Sequence, residues 1–98
     1  MNLVDITSSL PNELDDRLCI LAVKPWSASS PAVAVRLDEQ FKPPQVILDS
    51  GFAYFLEVSI AIEVLGVFGD KQPSAREKLD LLLFYAEHDS FPDWVYSD

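Results

Sequence analysis

Arg17-Leu18-Cys19-Ile20-Leu21-Ala22-Val23 is an aliphatic run of strand length that stops just before Pro25. It reads as a buried strand, since nothing polar interrupts it after Arg17. Residues 24–31 follow as a loop of Pro, Ser and Ala around Trp26, which is expected to cap one end of the core rather than serve as a recognition aromatic. In residues 32–37, Val33, Val35 and Leu37 alternate with Ala32, Ala34 and Arg36, giving a second strand antiparallel to the first.

Further along, Lys42-Pro43-Pro44 breaks the pattern, because neither proline can donate to a ladder. Residues 45–48 suggest a short third strand. Asp49-Ser50-Gly51 has the chemistry of a turn, and residues 52–58 form another strand rich in aromatic and β-branched side chains. Ser59 is the expected cap of a helix in which Ile60, Ala61, Val64, Leu65, Val67 and Phe68 recur at helical spacing, ending at Gly69. Ser74 and Glu77 match a capping box for a second helix reaching about His88, with Ala75, Leu79, Leu82, Leu83 and Ala86 on its apolar face.

Toward the N-terminus, a helical turn is expected between Leu10 and Asp16, with Pro11 in its first position. The order of elements predicts an α+β fold. A small, mainly antiparallel sheet of three to four strands should carry two C-terminal helices on one face. The 98 residues fit one domain, 1–98, with no repeat, low-complexity tract or linker.

With 49% apolar residues the chain can build a core, and its sixteen acids against seven bases set a formal charge of -9. Nucleic acid and anionic membrane surfaces are therefore not expected partners, since both require clustered Lys and Arg. The surplus either keeps the protein dispersed or attracts a basic partner. The N-terminus lacks the basic start and long apolar stretch of a signal peptide, and no apolar stretch approaches membrane-spanning length, so a cytoplasmic location is expected.

Candidates for catalysis are few. Cys19 is the only cysteine and is expected to be a buried, inert thiol. His88 is the only histidine, which excludes multi-histidine metal sites; it suits a helix C-terminus better than a Cys19/His88 nucleophile pair. The three glycines form no phosphate-cradling loop. Adjacent acids such as Asp15 with Asp16 and Asp38 with Glu39 point in different directions. No cofactor, metal or catalytic residue is expected.

The most distinctive segment runs from Tyr85 to Asp98. From Glu87 onward it has four acidic side chains, three aromatics and no Lys or Arg. Glu87, Asp89, Asp93, Trp94 and Tyr96 are the candidate partner-binding residues, as aromatic anchors within an acidic rim. Alternatively Phe91, Trp94 and Tyr96 fold back to close the core; the two roles can coexist.

Three segments carry a resemblance to small acidic bacterial domains of uncharacterised activity, some of them immunity proteins of contact-dependent or polymorphic toxin systems. They are the Lys24-Pro25-Trp26 loop, the 51–58 strand leading into the Ser59 helix, and Phe84-Tyr85-Ala86-Glu87-His88-Asp89-Ser90-Phe91. The resemblance implies a cytoplasmic protein that neutralises a cognate toxin by occlusion, the expected toxin being a basic nuclease. The alternatives are a non-catalytic adaptor or regulatory subunit and a small enzyme using carboxylates. Oligomeric state is left open.

Overall fold

The computed structural model describes residues 1–10 and 14–96. The fold is α+β. Its sheet has three antiparallel strands in the order β2-β1-β3, with β1 Leu18–Val23, β2 Ala32–Arg36 and β3 Phe52–Glu57. Among the described residues there are four α-helices: α1 Leu3–Ser8, α2 Gln45–Asp49, α3 Val58–Leu65 and α4 Ala75–His88.

β1 is central. It pairs with β2 from Leu18↔Arg36 to Ala22↔Ala32 and with β3 from Cys19↔Glu57 to Val23↔Phe52. Between Ile20 and Leu21 the register to β3 shifts, because Leu56 pairs with Ile20 and Tyr54 with Leu21 while Phe55 is the extra residue. Such a bulge breaks the strict alternation of side chains. Here it places the neighbours Phe55 and Leu56 together in the core with Ile20 and Ala22.

Three helices make that core, one more than the sequence pattern predicts. α3 packs on β1 and β3, α1 packs on β2, and α4 packs against both α1 and α3. The unexpected member is α1, whose Leu3 and Ile6, with Leu10 just beyond its end, are buried. Its six residues include three that are β-branched, poor intrinsic helix formers. Tertiary contacts supply what propensity does not. Asn2 Oδ1 accepts the Asp5 N–H at 2.9 Å at one end. At the other, Lys78 Nζ of α4 donates to the Leu10 and Ser8 carbonyls at 2.7 and 3.4 Å. The helical turn expected between Leu10 and Asp16 falls partly on residues 11–13, outside the described residues; Leu14 lies in a bend and Asp16 in a turn leading into β1.

Two further expectations are corrected. Residues 45–48 are helical rather than a strand: no neighbouring strand offers them a ladder, and Pro44 leads directly into α2. Local bonds then close the helix, from Gln45 Nε2 to Asp49 Oδ1 at 2.8 Å and from Ser50 Oγ to the Val46 carbonyl at 2.9 Å. Likewise Ser59 does not cap α3. The helix begins two residues earlier, with Glu57 in the cap position making no side-chain cap bond. α3 continues through a 3-10 turn, Gly66–Phe68, and stops at Gly69, whose φ of +57° is a conformation favouring glycine.

α4 has the expected capping box. The Glu77 N–H donates to Ser74 Oγ at 3.1 Å, and the Ser74 N–H donates to Glu77 Oε1 at 2.9 Å. Its buried residues are Leu79, Leu81 and Leu82. Ala75, expected on the apolar face, is exposed, while Leu81 is buried in the same core as Leu79. Removing the box through Ser74→Ala is expected to cost about 1 kcal/mol. Thermal unfolding should then begin roughly 4–8 °C earlier. Ser59→Ala should stay within about 0.5 kcal/mol of the parent; equal losses at the two serines would contradict this assignment of caps.

Candidate functional site

The segment singled out by its acids and aromatics begins in the last turn of α4. Asp89 takes a left-handed conformation, φ 53°, and its N–H donates to the Tyr85 carbonyl at 2.8 Å, which ends the helix and turns the chain back. Phe91 then packs on Tyr85 with ring centroids 5.3 Å apart, and a 3-10 turn, Asp93–Tyr96, closes with Val95 N–H on the Pro92 carbonyl at 3.1 Å. Phe91 and Val95 lie against the core and are structural.

Trp94 and Tyr96 behave differently. Trp94 rests on Phe68, 5.7 Å between ring centroids, and keeps 49% of its surface open; Tyr96 meets Phe91 edge-on at 6.5 Å and is 74% exposed. Glu87, Asp89 and Asp93 are also exposed. All five candidate residues are exposed, but the hollows they border are separate. Glu87 borders one with Lys24, Pro25 and Trp26. Asp89 borders another with Tyr54 and Tyr85. Trp94 belongs to a third, larger groove.

That groove, about 550 Å³, runs between the Gly66–Phe68 turn and α4. Val67, Phe68, Leu81, Phe84, Pro92 and Trp94 give it an apolar lining, and Lys71, Glu77 and Asp80 supply charge. The sequence pattern names only Trp94 among these as a binding residue. The others come from three separate stretches that only the fold brings together. One signal was present: Glu77, Asp80, Leu81 and Phe84 recur at helical spacing along α4.

The remaining reactive groups are occupied structurally. Cys19 is 0% exposed, and burial, with the Glu57 carboxylate adding to it, pushes its thiol up to about 12. It alternates with Ile20, so it lies on the sheet face opposite the core, whereas α4 with His88 is on the core side. His88 is exposed and stacks on Phe84 at 4.3 Å. Asp15 accepts from the Arg17 N–H, Nε and Nη2 at 2.8–3.1 Å, which holds its carboxyl down at about 2. Asp38 Oδ1 accepts the N–H groups of Gln40 and Lys42, ordering the loop after β2. Trp26 donates Nε1–H to the Ala22 carbonyl at 3.1 Å and sits edge-on to Phe55 at 5.0 Å, so it closes one end of the core.

Among the described residues, no group of three or more His, Cys, Asp or Glu could hold a metal, and no helix is long and apolar enough to cross a membrane. Every buried side-chain nitrogen and oxygen among them has a hydrogen-bond partner.

The state of Cys19 is testable through pH. Its folded pKa lies above the ordinary thiol value of about 8.5, so native and unfolded chains bind the same proton at neutral pH and differ only above it. The contribution of Cys19 to stability should therefore be flat below about pH 8.5 and then fall by at most about 1.4 kcal/mol per pH unit. Cys19→Ala should flatten that slope between pH 8.5 and 9.5 in urea titrations. The native thiol should also resist a disulfide reagent at pH 8 and react only in denaturant; rapid native labelling would contradict its burial.

The acids are carried on every helix and in the loops, yet the chain after Lys78 adds Asp80, Glu87, Asp89, Asp93 and Asp98 with no Lys or Arg. Asp98 lies outside the described residues. Comparison with family models, with curated proteins and with solved structures gives no match to this chain.

Proposed function

We propose that this chain is an immunity-type protein: it binds a basic toxin domain in the cytoplasm and neutralises it by occlusion, with no catalysis of its own. The observation that carries this reading is the C-terminal segment, in which Trp94 and Tyr96 are open to solvent and Glu87, Asp89 and Asp93 are exposed as well. Aromatics on a rigid support supply contact area at small entropic cost, and a rim of one sign of charge speeds encounter with a partner of the other. The formal charge of -9 acts in the same direction at longer range.

A nuclease is the favoured class of toxin, because a surface that grips phosphates presents the positive field this chain complements. The resemblance carried by the Lys24-Pro25-Trp26 loop, residues 51–58 and residues 84–91 points the same way. Support for a non-catalytic role comes from Cys19 and His88, which lie on opposite sides of the sheet, and from acids engaged in loops and caps.

Expression of the adjacent open reading frame's C-terminal domain, with and without this chain, tests the proposal. Growth arrest by that domain alone and rescue on co-expression are expected. Association of the purified pair should slow at least tenfold as salt is raised, because steering is screened over a Debye length of about 10 Å at 0.1 M. Asp89→Asn with Asp93→Asn should slow association, and Trp94→Ala should speed dissociation. A harmless neighbour, or rescue unaffected by all three substitutions, would contradict the reading; stable co-purification with a non-toxic enzyme would favour an adaptor instead.

A further inference from the structure

We propose that the groove between the Gly66–Phe68 turn and α4 is the anchor site for the partner, and that its occupant is a basic segment carrying one aromatic or long aliphatic side chain flanked by Arg or Lys. This rests on the protein-binding reading above and specifies what the partner must present.

The lining sets the central requirement. Phe68, Leu81 and Phe84 are partly or fully buried, while Val67 and Trp94 remain 37% and 49% exposed. Two large apolar side chains left open across one hollow are what an inserted apolar side chain would cover. The volume, about 550 Å³, lies in the range of functional pockets and holds more than a single small ion.

The charges select the flanks. Glu77 and Asp80 lie three residues apart on α4, on the same side of the helix, and both border the groove. Each has a replaceable partner: Glu77 Oε1 accepts the Ser74 N–H, and Asp80 pairs with Arg76 at 3.0 Å, with both side chains more than half exposed. An exposed pair of this kind is weak, so an incoming guanidinium can compete for the carboxylate. Asp93 adjoins Trp94 and Asp70 adjoins Lys71, so the surroundings carry more acid than base. Lys71 is the exception within the lining, and it directs the incoming cations toward the α4 wall. A second copy of this chain is a poor occupant, since two bodies of charge -9 repel each other. An acidic or nucleic-acid ligand fails for the same reason.

Two synthetic peptides of equal length, one with Leu-Phe flanked by arginines and the other with Leu-Phe flanked by glutamates, provide the probe. Their binding is followed by amide chemical shifts of the labelled full chain. The arginine peptide is expected to shift Val67, Leu81, Phe84 and Trp94 and to bind at least tenfold more tightly than the glutamate peptide. Val67→Arg, at an exposed position where the fold tolerates change, should weaken it tenfold or more while leaving the melting temperature in place. Equal binding of the two peptides, shifts centred on Val33, Val35 and Tyr54, concentration-dependent self-association through the same amides, or no binding would each overturn the assignment. Failure here and failure of the proposed function are separable. If Val67→Arg neutralises the toxin as well as the parent does, the groove is not the anchor although the function stands. If the parent fails to neutralise while the arginine peptide binds, the groove stands and the immunity role does not.

Discussion

Burial of β1 on both faces is the constraint on which the rest of the structure depends. Cys19, Ile20, Leu21 and Ala22 are four consecutive residues with essentially no exposure, flanked by a hydrogen-bonded strand on each side. Ile20 and Ala22 require a helical layer above them, which α1, α3 and α4 provide. Cys19 and Leu21 require cover on the other face, where Val33, Val35 and Tyr54 stand beside them in register and α2 packs against β3. The three-stranded sheet is thus asymmetric: one face lies under helices, the other under its own neighbours and one short helix. Burial of aliphatic side chains supplies most of the driving force, on the order of 1.5–3 kcal/mol for each large side chain fully removed from water.

How much of this is legible in the sequence depends on whether the signal is local. The three strands, the end of the α3 segment at Gly69 and the capping box of α4 are written in contiguous residues, and the structure places them within a residue or two of expectation. α1 is not local in that sense. Its Asn2 cap is visible, but Val4, Ile6 and Thr7 argue against helix, and what holds it are contacts to α4 and the Lys78 bonds across nearly seventy residues. α2 illustrates the reverse error, since Val46-Ile47-Leu48 favours strand by composition yet has no edge to pair with. Ser59 is a good cap residue two positions too late, because β3 runs directly into α3 at Val58.

The candidate site divides along the same line. The acids and aromatics from Glu87 onward stand out in sequence because they fall in one short segment, and the structure leaves Glu87, Asp89, Asp93, Trp94 and Tyr96 exposed. They do not converge on one hollow. The groove that contains Trp94 is assembled from Val67 and Phe68, from Leu81 and Phe84 of α4, and from Pro92 beyond it. No periodicity links those three stretches. Phe91, which looks equivalent to Trp94 in sequence, is drawn inward because the left-handed turn at Asp89 aims it back at Tyr85.

The thiol is buried and the histidine is stacked on a ring, and two exposed surfaces could serve the proposed recognition role. One is the acidic C-terminal end with the groove beside it. The other is the less covered sheet face around Val33, Val35 and Tyr54. Hydrogen exchange of the chain with and without the proposed basic toxin domain distinguishes them in one measurement. Docking at the acidic end requires slowed exchange in residues 66–73 and 84–96 with β2 and β3 unchanged; protection confined to residues 32–36 and 52–57, or none anywhere, would contradict it.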